Sequence, residues 1–168
     1  MALPPAAGFA GGAAGGDVVG GLRHFAGCCG SGRAGWGKIT ELVVPELAVR
    51  DLQASLRFWC DLIGFRIRNE RPEERFAYLV LGRAHIMLDQ IGHTRTWETG
   101  DLRYPLGRGI NFEVQVPDVD TVLERLNKAS WPIFLPIEER WYRAGDEEIG
   151  VRQFLVMDPD GYLLRPQV

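Results

Sequence analysis

The sequence predicts an α+β domain in which two β-α-β-β-β modules form curved mixed sheets around a cleft. Three observations predict it. Residues 39–168 alternate β-branched apolar runs with amphipathic stretches, whereas residues 1–38 carry no apolar periodicity. Two strand-to-helix junctions then match at a constant offset of 67 residues: Val49, Asp51, Leu52, Leu56 and Trp59 correspond without a gap to Val116, Asp118, Val119, Leu123 and Leu126. Further short strands, separated by turn residues, follow each junction. A repeated β-α-β-β-β unit accounts for all three, with modules at about 39–95 and 107–168.

The first module reads as follows. Ile39–Val49 is β-branched and apolar, the mark of a strand, with Pro45 placing a bulge or an edge within it. Asp51 caps a helix whose apolar stripe is Leu52, Leu56, Trp59 and Leu62 with Ile63, and Gly64 ends it. Phe65–Asn69, Phe76–Leu81 and His85–Gln90 are strands, the last two joined by a tight turn at Gly82-Arg83. In the second module Ile110–Val116 is a strand. Asp118 caps a helix with apolar positions Val119, Val122, Leu123 and Leu126. Ile133–Ile137, Arg152–Met157 and Tyr162–Arg165 are strands, the last following the turn Asp158-Pro159-Asp160-Gly161.

Composition bounds the function. The 168 residues suffice for one domain with a real core, and 46% apolar with 24% charged residues is ordinary for a soluble chain. A net charge of −3 gives no basic footprint for nucleic acid. No apolar run approaches the ~18 residues of a membrane span. Cys28, Cys29 and Cys60 make no disulfide framework, so a reducing cytoplasm is expected. Residues 1–38 are rich in Gly and Ala and are expected to be a disordered extension. They show no signal-peptide layout, and Gly11, Gly12, Gly15 and Gly16 follow no strand, so they make no dinucleotide loop. Gly-x-Ser-x-Gly, P-loop and His-Glu-x-x-His motifs are all missing from the sequence.

Val49-Arg50-Asp51-Leu52, Ser55-Leu56-Arg57-Phe58-Trp59 and Leu62-Ile63-Gly64-Phe65 form one signature. Gly150-Val151-Arg152-Gln153-Phe154 followed by Asp158-Pro159-Asp160-Gly161-Tyr162-Leu163-Leu164-Arg165 forms a second. Together they resemble the vicinal-oxygen-chelate superfamily (glyoxalases, dioxygenases and bleomycin-resistance proteins), and within it the bleomycin-resistance proteins. The resemblance covers Ile39 to about Arg165. It implies four metal ligands in the enzymes, two per module, drawn from His, Glu and Gln on the first and last strands. The matching positions here are Val44, Met87, Asn111 and Arg165. A slip of two residues keeps the strand face and would bring Asp89 to the site in place of Met87. Valine, methionine, a lone amide and an arginine are poor partners for a hard dication. The expectation is therefore no metal, no cofactor and no catalytic residues. His85 with Asp89 is the alternative by which a metal would bind elsewhere.

What the resemblance then implies is a homodimer that sequesters a bleomycin-type glycopeptide, or another aromatic cation, in clefts between subunits, without nucleic-acid or membrane partners. Such a cleft wants aromatic faces and carboxylates. The candidate ligand-binding residues are Phe76 and Tyr78 on one strand face, Asn111 and Glu113 on another, Arg165, Trp97 and Tyr104 in the loop between modules, and Trp141, with Tyr142, in a second loop beside Glu138 and Glu139. The alternatives are a metal-dependent lyase, dioxygenase or fosfomycin-type transferase of the same fold, or a metabolite-binding domain.

Overall fold

The computed structural model describes residues 43–93 and 97–168. The expected extension at 1–38, its boundary at residue 39 and the start of the first expected strand lie outside the described residues.

The order of elements repeats. Strand β1 (Glu46–Val49) leads through the cap Asp51 into helix α1 (Leu52–Leu56), which continues directly as a π-helical segment, Arg57–Ile63. Strands β2 (Arg66–Arg71), β3 (Phe76–Leu81) and β4 (Ala84–Gln90) complete the first module. Strand β5 (Asn111–Gln115), helix α2 (Val119–Lys128) and strands β6 (Ile133–Ala144), β7 (Glu147–Met157) and β8 (Leu163–Gln167) make the second. The sheets have matching orders, β1-β4-β3-β2 and β5-β8-β7-β6. In each, the first and last strands of the module run parallel and the remaining pairs antiparallel. Glu46 lies beside Met87 and Glu113 beside Arg165, so the 67-residue offset holds in three dimensions. Among the described residues no helix is long and apolar enough to cross a membrane.

The caps behave as the sequence predicts. Asp51 accepts from the backbone N–H groups of Gln53 and Ala54, at 2.9 and 3.2 Å, and Asp118 from those of Asp120 and Thr121, at 3.1 and 3.2 Å. Each cap satisfies donors that the first helical turn leaves open. Gly64, at φ 107°, ends the first helix, its N–H donating to the Trp59 carbonyl at 3.1 Å. The stripe on that helix differs from a 3.6-residue reading. Phe58, Trp59 and Ile63 are fully buried, whereas Leu56 and Leu62 are only partly so. The π winding explains this, because it stacks positions five apart and so brings Phe58 and Ile63 to one face.

Three strand expectations change. Among the described residues β1 begins at Glu46, and Val44 precedes the ladder, because Pro45 has no N–H to give it. The Pro45 carbonyl still accepts from Met87 N–H at 2.8 Å. β6 continues to Ala144 and β7 starts at Glu147, so Trp141 and Tyr142 lie in a strand and not in a loop. Residues 139–150 are exposed throughout this hairpin, so no apolar alternation marks it. β8 begins at Leu163 and runs on to Gln167.

One core joins the modules. The sheets turn Leu47, Val49, Leu79 and Leu88, and Val114, Phe154, Val156 and Leu164, toward the helices, where they meet Phe58, Trp59, Ile63, Val119, Val122 and Leu126. Phe58 packs on Trp131 of the second module with ring centroids 5.1 Å apart. Polar groups bind the modules as well. The turn after β7 places Asp160 against Arg50, whose Nε donates to its carboxylate at 2.6 Å, and against the buried Ser55 hydroxyl at 3.4 Å. Trp59 Nε1 donates to Asp158 at 3.2 Å, Tyr162 Oη to the Ala48 carbonyl at 3.2 Å, and Arg125 to the Ile63 carbonyl at 3.1 Å.

Candidate functional site

Period-2 alternation leaves each sheet a face turned away from the helices. On the first sheet that distal face carries Glu46 and Ala48 from β1, Phe76 and Tyr78 from β3, and His85, Met87 and Asp89 from β4. Asp89 is buried at 7% exposure although it is a carboxylate. It sits close enough to Glu46 to act on that residue's ionisation. Burial is the largest cause pushing the Glu46 carboxyl above its ordinary range; the Asp89 charge adds to it, Arg71 opposes it, and a hydrogen bond to Asp89 adds again. A cavity of about 170 Å³ adjoins the pair, lined besides by Ala48, Trp97, Glu98, Thr99 and Leu102. Trp97 is 69% exposed, an indole held at the rim rather than in the core.

Phe76 is buried, yet it stands outside the shared core. The Arg71 guanidinium lies 3.7 Å from its ring centroid. Tyr78 is half-buried, with its hydroxyl 3.2 Å from His85 Nδ1 and the Arg68 guanidinium 5.4 Å from its ring. Phe76 and Tyr78 therefore share a sheet face with the two carboxylates, and Trp97, from the loop between modules, stands by the carboxylates.

The other candidates lie elsewhere. On the second sheet's distal face Arg165 forms an ion pair with Glu113, which also accepts from Gln167, and the exposed Asn111 occupies the same face of β5. Tyr104 stands by the Asp158–Asp160 turn with the Arg50 guanidinium 5.2 Å from its ring. Trp141 packs on Gly150, where an added Cβ would meet the indole at 2.9 Å. That is the face of the β6–β7 hairpin opposite Glu138 and Gln153, since Trp141 pairs with Gly150 while Glu138 pairs with Gln153. Trp97 and Trp141 thus do not wall one cleft within the chain.

Sequence reasoning named Glu113 but missed Glu46. The signal was present, because the 67-residue offset applied to Glu113 lands on Glu46. Their registers against Arg165 and Met87 are equivalent.

The four positions matched to metal ligands do not fit a metal. Val44 is aliphatic, Met87 offers a thioether, and the Arg165 guanidinium brings positive charge and is committed to Glu113. His85 and Asp89 share a face, but four strand residues separate them by about 13 Å, too far for one ion. Among the described residues no three His, Cys, Asp or Glu side chains converge.

Fold and sequence together place the chain in a family. It belongs to the Glyoxalase/Bleomycin resistance protein/Dioxygenase superfamily, whose family model matches residues 38–165. A superfamily member of that description from Vibrio splendidus 12B01 is 36% identical over 73% of this chain and 93% of that one, with a TM-score of 0.33. TioX from Micromonospora sp. ML1 is 26% identical over 74% of this chain and 94% of that one, at a TM-score of 0.57. An integron cassette protein from the mobile metagenome of V. cholerae shares the fold at 19% identity, 79% and 97% coverage and a TM-score of 0.58. No curated protein sequence matches the chain.

Proposed function

We propose that this protein is a metal-independent binding protein that captures a cationic aromatic small molecule, of the bleomycin type, on the distal face of its first sheet. The observation that carries the reading is the carboxylate pair Glu46 and Asp89 beneath the rim indole of Trp97. A cation entering there relieves the repulsion between the two carboxylates and lies within reach of an aromatic face. The cavity of about 170 Å³ takes a charged arm of such a ligand; the remainder extends past Trp97. A second copy of the chain closes the cleft with its Asn111, Glu113 and Arg165 face, giving two equivalent sites in a homodimer. No bond is made or broken; protection comes from lowering the free ligand.

Titration calorimetry with bleomycin tests this. Glu46→Gln and Trp97→Ala are each expected to weaken binding by roughly tenfold, on the order of the worth of a stacked ring or partly buried charge contact. Glu113→Gln is expected to matter less at high salt than at low salt. Trp141→Ala, on the opposite face of its hairpin, serves as the control. A folded dimer that shows no heat with bleomycin refutes the resistance reading, and a thermal-shift screen of metabolites then takes its place.

A metal-dependent enzyme of the same superfamily is a second reading, favoured by one observation: Glu46 and Asp89 each stand two residues along the strand from a matched ligand position. Elemental analysis separates the two. Stoichiometric divalent metal, lost from Glu46→Gln, overturns the metal-independent reading.

A further inference from the structure

A cluster of aromatic residues lies away from that face. Beyond the end of α2 the chain passes through Trp131, Pro132 and Phe134, and these meet Tyr104 and the Met157–Pro159 segment around a cavity of about 520 Å³. Its walls are rigidly set. Trp131 Nε1 donates to the Met157 carbonyl at 2.9 Å, and the ring rests on Phe58. Tyr104 and Pro105 lie directly on Gly161, where a Cβ would meet the Pro105 Cβ at 2.4 Å. Phe134 is 59% exposed, a ring left at the mouth with no core role.

Among the described residues, Asp158 is the one charged residue lining this cavity. It is 3% exposed. Its Oδ1 accepts from Asp160 N–H and Tyr162 N–H, both at 2.9 Å, and its Oδ2 from Trp59 Nε1. These neutral donors hold the carboxylate without cancelling its charge. The neighbouring Asp160 takes the Arg50 guanidinium for itself. Two carboxylates and one guanidinium leave the floor of an aromatic cavity with about one uncompensated negative charge, and apolar walls reduce the screening of that field.

We propose that this cavity is a second ligand site, an aromatic cage for a quaternary or tertiary ammonium group. The chemistry selects the occupant. Hard metal ions need six or more oxygen ligands, and the lining offers one carboxylate, already accepting three hydrogen bonds, beside rings and a thioether. A primary ammonium needs several free acceptors, but three acceptor positions of Asp158 are already filled. A methylated ammonium needs none: it sheds water easily, and the rings of Trp131 and Phe134 attract it along with the buried charge, while Tyr104, which already carries the Arg50 guanidinium 5.2 Å from its ring, adds apolar wall. Met157 and the prolines supply apolar contact for its methyl groups.

Methionine methyl NMR of the full chain tests the site, because the only methionines are Met1, Met87 and Met157. Met157 reports this cavity and Met87 the first sheet's distal face. Choline is expected to shift the Met157 signal saturably and to leave Met87 in place. Its uncharged carbon isostere, dimethylbutanol, is expected to bind at least tenfold more weakly. Phe134→Leu keeps an apolar side chain at an exposed position and removes the ring, and is expected to weaken choline by about fivefold to tenfold. Equal binding of the isostere, an unmoved Met157, choline acting at Met87 instead, or full affinity in Phe134→Leu would each overturn the cage. Bleomycin binding reported by Met87 is independent of all four outcomes.

Discussion

Replacing Asp160 by alanine probes how the two modules are held together. The Asp160 side chain is 2% exposed and the Arg50 side chain 56% exposed. The carboxylate receives Arg50 Nε at 2.6 Å, the Arg50 backbone N–H at 3.3 Å and the Ser55 hydroxyl at 3.4 Å, across more than 100 residues of sequence. A hydrogen bond to a charged group is worth about 1.5–3 kcal/mol, and a buried hydroxyl stripped of its partner costs about 1–3 kcal/mol. Arg50 reaches water once released, so the ion-pair share is discounted toward surface values. The sum is a loss of about 3 kcal/mol, or a melting temperature lower by about 10 °C for a domain of this size. Urea unfolding followed by tryptophan fluorescence measures it. A double-mutant cycle with Arg50→Ala is expected to give a coupling of about 1 kcal/mol. A loss under about 1 kcal/mol for Asp160→Ala, or additive effects in the cycle, refutes the idea that this turn clasps the first helix.

Burial, more than its hydrogen bonds oppose, pushes the Asp158 carboxyl up to about 6; carbon-detected NMR is expected to find a midpoint near that value, and one below about 4.5 contradicts the burial. Because the folded value lies above the unfolded one, the native state binds this proton more tightly, so the stability this group contributes falls as pH rises from about 4 to about 6. Gly161→Ala and Gly82→Ala both force alanine into positive φ, at 85° and 58°. Gly82 has open space around it and is expected to cost about 1 kcal/mol, whereas the Gly161 Cβ would strike Pro105 and is expected to cost about 3 kcal/mol or more in the same unfolding assay. Burial raises the Cys60 thiol to about 11, so in a Cys28→Ser/Cys29→Ser background it is expected to react with a thiol reagent at pH 8 at least a hundredfold more slowly than free cysteine, since thiolate is the reactive form; rapid labelling of the folded protein counts against that burial.

The repeat, the caps and the core were readable in the residues because each is a local or periodic signal. Asp51 and Asp118 cap helices through their own side chains. The buried valines and leucines alternate with the strand period. The Asp158–Gly161 turn follows from residues that favour turns anywhere. What the sequence conceals is what depends on neighbours far along the chain. The β6–β7 hairpin is held by backbone pairing while exposed on both faces, so hydrophobic alternation has nothing to record there, and Trp141 passes for a loop residue. The π widening after Leu56 re-aims Phe58 and Ile63 without changing composition. Glu46 acquires meaning only when β1 is laid beside β4 and Asp89 arrives next to it, because two carboxylates interact through space and not through spacing. Asp158 is an ordinary turn acid until the fold buries it and brings Trp131 and Phe134 from one segment and Tyr104 from another around the same cavity.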